Sequence, residues 1–186
     1  MTIGSGAQAQ SAARSRVELN GAHWAVGEHG DGSRRLVAVH GWQNEGASWQ
    51  PLLRRLGGDR YTATVVDLPG CGDSPPVDRP ERSSIDVLAA DLLELPQVAE
   101  GGTVLIGHSL GGAIALEMAL RAPEWIDAVV AVAPAATAGM PFLDREQFEA
   151  LLHPTPQATQ ALARAAFHRP PAAEVTRVSE GFLTWG

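Results

Sequence analysis

The most constraining stretch of the chain is residues 103–120, TVLIGHSLGGAIALEMAL. The apolar run at 103–106 reads as a buried strand, and AIALEMAL reads as a helix that starts almost directly behind it. Between them lies Gly107-His108-Ser109-Leu110-Gly111, a G-x-S-x-G pattern. A strand-to-helix reversal this tight strains the backbone of its central residue and crowds the flanking positions. Glycine at 107 and 111 removes the Cβ atoms that would collide. Ser109 then stands at the tip, at a helix N-terminus, where backbone N–H groups and the helix dipole favour developing negative charge. This suits acyl transfer, in which a serine hydroxyl attacks a carbonyl and main-chain donors hold the oxyanion. The string alone is weak, because glycine and serine are common in loops. Its weight comes from the strand before it and the helix after it. The competing structural interpretation is a glycine-rich turn with an idle serine.

The rest of the chain supplies a frame for that turn. Residues 17–19 and 23–28 flank Asn20-Gly21, a strong hairpin signal, and predict two antiparallel strands. RLVAVH (35–40) and TATVV (62–66) are apolar on both faces, as buried parallel strands are. A helix is expected over 48–56, closed by Gly57-Gly58, and another from Ser83 or Ser84 to about Glu94, stopped by Pro96. AVVAVA (128–133) predicts a further buried strand. The alternation implies an α/β fold with a mostly parallel sheet and flanking helices. From Gly139 onward, proline-separated helical patterns replace strands. The expected organisation is therefore a disordered leader (1–15), an α/β core (16–138) and a helical region (139–186).

Composition excludes several function classes. At 186 residues the chain suits one such core, and a net charge of −7 argues against a nucleic-acid binder and gives no pull toward anionic membranes. Cys71 is the only cysteine, so neither an internal disulfide nor a cysteine metal site is expected. No cofactor or metal is called for, and a reducing cytoplasm is the simplest setting. The first residues lack the apolar core of a secretory signal, and no apolar run is long enough to span a membrane.

Three motifs in order, HGW at 40–42, DLPGCGDS at 67–74 and GHSLGG at 107–112, resemble the α/β-hydrolase superfamily. HGWQNEGASW is similar to the capped, esterase-like serine hydrolases, and the resemblance covers roughly residues 17–134. It implies that Ser109 is the nucleophile and that the backbone N–H groups of Trp42 and Leu110 form the oxyanion hole. It also implies that His40, Gly41, Gly107, His108 and Gly111 shape the site, and that Asp67 fixes loops by hydrogen bonds. The substrate so implied is a small-molecule ester or related carbonyl compound, cleaved through an acyl-enzyme. A serine at 109 departs from the haloalkane dehalogenases and epoxide hydrolases, whose nucleophile is a carboxylate.

The family order is Ser, then Asp or Glu, then His. The segments expected to carry the acid and the histidine are not recognisable here, on the order of 60 residues at about 30 per strand–helix unit. The chain therefore reads as a C-terminally truncated member that lacks the last strands and begins a helical cap. As written it is expected to hydrolyse esters weakly or not at all, with strand 128–133 left as an apolar sheet edge. The alternative function is a non-catalytic ligand-binding protein or scaffold on the same fold.

Other candidates weigh less. His40 and His108 adjoin the site but are read as loop-shaping residues; His153 and His168 fall in the cap-like region. Asp127 sits at the wrong end of its strand. Asp144 is either the acid or, more simply, a helix N-cap. Trp42 and Trp49 suit either an acyl pocket or core packing, as do Met140, Phe142, Leu143 and Phe148. Cys71 has no neighbouring base and is not a catalytic candidate.

Overall fold

A computed structural model describes residues 14–136 and Thr155. The leader 1–13 and the region expected to form the cap lie outside the described residues, as do Asp144, His153 and His168. Six strands form one sheet: β1 (Arg14–Leu19), β2 (Ala22–His29), β3 (Arg34–Val39), β4 (Tyr61–Asp67), β5 (Thr103–His108) and β6 (Ile126–Val132). Their order is β1-β2-β4-β3-β5-β6. The β1–β2 and β2–β4 pairs are antiparallel, and the β4–β3, β3–β5 and β5–β6 pairs are parallel. Among the described residues, four α-helices accompany them: α1 (Gln50–Leu56), α2 (Ile85–Leu93), α3 (Pro96–Ala99) and α4 (Leu110–Arg121). This is the expected α/β architecture with a mostly parallel sheet.

Local chemistry accounts for the elements. Asn20 and Gly21 carry φ of 48° and 78°, the two positive values that a two-residue hairpin turn needs to match strand twist. Along β3 the side chains alternate between two cores. Val37 and Val39 join Trp24, Val66, Leu92, Leu105, Ile114 and Met118 on the face covered by α2 and α4. Leu36 and Ala38 join Trp49, Leu53, Val65 and Ile106 on the face covered by α1. Full burial of Ile114 and Met118 is worth roughly 1.5–3 kcal/mol each and holds α4 against the sheet.

Two expectations are corrected and one is extended. Arg14 and Ser15, assigned to the leader, pair with Gly27 and Val26 in β1. Helix α2 ends before Pro96 as expected, and Pro96 in addition opens α3, because a proline at a first helical position has no N–H to lose. Strand β6 is the sheet edge among the described residues, as expected, but it is not buried: Val130 and Val132 are exposed. Its apolar sequence reports strand propensity, and only the neighbours decide burial.

The C-terminal ends of β3 and β4 are tied to each other by polar side chains. Buried Asp67 accepts the Gly46 N–H at 2.7 Å, the Asp73 N–H at 2.9 Å and the Arg14 guanidinium at 2.5 Å. Buried Ser74 donates to the Asp67 carbonyl at 2.6 Å and accepts the Ala25 N–H at 2.8 Å, pinning this loop to β2. Replacement Ser74→Ala leaves the Ala25 N–H buried and unpaired. It is expected to lower unfolding free energy by about 1–3 kcal/mol in urea titrations, with no change in m-value.

Candidate active site

The chain turns from β5 into α4 through a single residue, Ser109, whose backbone stands at φ 51°, ψ −116°. This is the strained elbow that the G-x-S-x-G spacing requires. The glycines show why nothing larger fits. A Cβ at Gly107 would lie 2.2 Å from the Gly111 carbonyl oxygen, and one at Gly111 would lie 2.2 Å from the Val39 oxygen and 2.4 Å from that of His40. Helix α4 therefore begins pressed against the end of β3. Ser109 is its N-cap residue and is half-buried, but its hydroxyl makes no capping bond. The helix N-terminus instead leaves its positive end beside that hydroxyl.

Residues that were silent in sequence hold the elbow from behind. The Ser109 N–H donates to the Val132 carbonyl at 3.0 Å, and the Ala135 N–H donates to the Ser109 carbonyl at 2.8 Å. Between these partners Ala133 takes φ 42°, and Pro134 packs where a Cβ on Gly112 would come within 3.0 Å. The Ala-Pro-Ala string carries no signal of this clamp, because its partner, Ser109, is far away in sequence.

The HGW loop folds onto the same place. A Cβ on Gly41 would sit 3.1 Å from the Ser109 Cβ and 3.0 Å from His108 Nδ1. Buried His40 accepts the Leu68 N–H at Nε2 (2.9 Å) and donates from Nδ1 to the Gly41 carbonyl (2.7 Å). Both ring nitrogens are thus engaged, which leaves His40 no lone pair with which to act as a base. His108 is exposed and lies over Gly41. Trp42 and Leu110 both line one cavity of about 380 Å³ with Gln43, Leu68, Pro69, Cys71 and Leu88. That size suits a small molecule, and the wall is mostly apolar. Trp49 packs in the core under α1 and takes no part in it. Burial pushes the Cys71 thiol up to about 11, so it is protonated at neutral pH and is not a nucleophile. Sequence reasoning also missed Gln43 and the Leu68–Leu88 wall, which come together only through the packing of α2 beneath the β4 loop.

Burial lowers the pKa of His40, because the charged ring would be desolvated, and protonation would also break the acceptor bond from Leu68. A native value below the unfolded one means that the unfolded chain binds the proton first. The stabilisation is therefore complete above about pH 6.5 and is lost as pH falls through the native value. Wild type is expected to lose up to about 1.4 kcal/mol per pH unit across that window relative to His40→Asn. Chemical denaturation of both proteins from pH 7.5 to 4.5 checks this; parallel curves would contradict it.

The comparisons agree with this geometry. The alpha/beta hydrolase family matches residues 36–185, and the chain belongs to that family. A pimeloyl-[acyl-carrier protein] methyl ester esterase of Vibrio cholerae is 37% identical over 111 residues, covering 60% of this chain and 40% of that protein. The chain thus spans well under half the length of this curated relative. Among solved structures, the N-acyl homoserine lactonase AidH superposes with TM-score 0.69 at 26% identity, covering 91% of this chain and 64% of that one. An epoxide hydrolase from Vigna radiata gives TM-score 0.70 at 21% identity, over 96% and 70%, a likeness of fold. No helix among the described residues is long and apolar enough to cross a membrane.

Proposed function

We propose that the full-length protein is a serine hydrolase that cleaves a small-molecule ester or related carbonyl compound through an acyl-enzyme. The observation that carries this is the strained Ser109 elbow, with an uncapped hydroxyl at the N-terminus of α4 and Gly41 against its Cβ. Ser109 attacks the carbonyl carbon, and the N–H groups of Trp42 and Leu110 receive the oxyanion. The esterase named among the relatives supports an ester as substrate.

A serine needs a base, and no histidine among the described residues suits the part. His40 has both nitrogens engaged, His23 and His29 lie on β2 in the antiparallel part of the sheet, and His108, directly before Ser109 at the end of β5, is read as shaping the loop. We place the histidine and its acid beyond residue 186, as the family order supports, with residues 139–186 as a helical cap. On this basis the 186-residue chain alone turns over esters weakly, and the intact protein works as a soluble enzyme in a reducing cytoplasm. Rapid mixing of the full-length protein with p-nitrophenyl butyrate tests the acyl-enzyme. A burst of nitrophenolate stoichiometric with enzyme, or trapping of the butyryl group on Ser109 at low pH, is expected. Turnover without any enzyme-bound acyl group would refute it, and ligand-induced stabilisation without turnover would favour a binding protein.

A further inference from the structure

Two structural anomalies fall on the same residue, and neither is explained by the elbow. Among the described residues, Asn20, Gln43, Ser109 and Ala133 have positive φ without being glycine. Asn20 serves the hairpin, Ser109 is the elbow and Ala133 clamps it. Gln43, at φ 53°, does none of these; glycine or asparagine would hold that backbone more easily. Its side chain adds a second anomaly. The Oε1 atom is buried and accepts no hydrogen bond. Other described residues also hold an unpaired buried polar atom, Trp24, Trp49, Thr64 and Gln97, but of these five Gln43 is the one that lines the cavity. Buried acceptors normally have partners, so each exception calls for a reason.

The position supplies one. Gln43 follows Trp42 directly, and both line a cavity whose other walls are Leu68, Pro69, Gly70, Cys71, Leu88 and Leu110, with Ser83 as the other uncharged polar side chain. In a mostly apolar site, a few placed polar groups fix ligand orientation. We propose that Gln43 is a specificity-determining residue whose amide oxygen accepts a hydrogen bond from a hydroxyl or N–H on the acyl part of the substrate, within a few bonds of the scissile carbonyl. The proposal rests on the hydrolase reading above and narrows its substrate class to esters of hydroxylated or amide-bearing acids. The oxygen is shielded while the site is empty, and a turn about the broad terminal torsion of the side chain presents it to the donor. The apolar wall holds the remaining carbon chain.

The test compares p-nitrophenyl 3-hydroxybutyrate with p-nitrophenyl butyrate on full-length wild type, Gln43→Gly and Gln43→Met. The methionine variant keeps the volume and removes the acceptor; the glycine variant removes the backbone strain as well. Wild type is expected to favour the hydroxylated ester in kcat/KM by at least about tenfold, and both variants to lose that preference while still hydrolysing the plain ester. Gln43→Gly is also expected to raise Tm by roughly 2–8 °C, since an orphaned acceptor and a strained backbone are both removed. An unchanged preference in both variants, or no gain in Tm for the glycine variant, would overturn the proposal. Ser109→Ala run in parallel separates the two readings. If it abolishes turnover while the Gln43 variants keep wild-type preference, the hydrolase assignment stands and this inference falls. If it retains turnover, the underlying assignment fails.

Discussion

Gly111→Ala is expected to cost about 4 kcal/mol or more of folding free energy, at the exceptional end for a point substitution. Gly111 does not have positive φ, so the penalty is steric alone. The new Cβ would lie 2.2 Å from the Val39 oxygen and 2.4 Å from the His40 oxygen, both backbone atoms that cannot rotate away. Relief requires the first turn of α4 to lift from the end of β3. That would uncover Ile114 and Met118 and displace the Ser109 hydroxyl together with its helix end. Gly112→Ala is the graded control. Its Cβ would meet Pro134 Cβ at 3.0 Å and the Gly107 oxygen at 3.1 Å, a crowding that a small shift relieves. The loss there should be about 1–2 kcal/mol. Urea midpoints of the two variants, measured beside wild type, check both values and their order.

Ser109→Ala should lower kcat of the full-length protein by roughly 10⁴- to 10⁶-fold, leaving the residual rate that binding and an oxyanion hole sustain. The same position offers a test in which stability and activity move in opposite directions. The native φ of 51° is unfavourable for serine and free for glycine. Ser109→Gly is therefore expected to gain about 1 kcal/mol in unfolding free energy while being as inert as the alanine variant. On the proposed mechanism the strained backbone at Ser109 presents the attacking hydroxyl, and Ser109→Gly relieves that strain at the cost of the hydroxyl itself. A Ser109→Gly protein no more stable than wild type would mean that the elbow is not strained in solution.

The sequence made these positions legible because local rules dictate them. The apolar run at 35–40 reported a strand buried on both faces, and Asn20-Gly21 reported a hairpin, each from a composition or a dihedral need that neighbouring residues carry. The elbow was legible for the same reason, since a side chain on Gly107 would strike the Gly111 backbone within one turn of chain. What escaped depends on partners far along the chain. The Val132 and Ala135 bonds to Ser109, the ion pair of Arg14 with Asp67, and the cavity wall built from Leu68 and Leu88 have no local pattern. Strand β6 was placed at the sheet edge but also read as buried, because an apolar string records what a strand tolerates, whereas its exposure follows from that edge position. Gln43 escaped because a glutamine in a loop looks solvated; only its positive φ and orphaned oxygen set it apart.

The proposed nucleophile can be tested by covalent capture. Full-length protein treated with a fluorophosphonate and examined by intact mass and peptide mapping should take up one phosphonyl group, on Ser109, and Ser109→Ala should take up none. Equal labelling of the two proteins, or an adduct on any residue other than Ser109, would contradict the assignment.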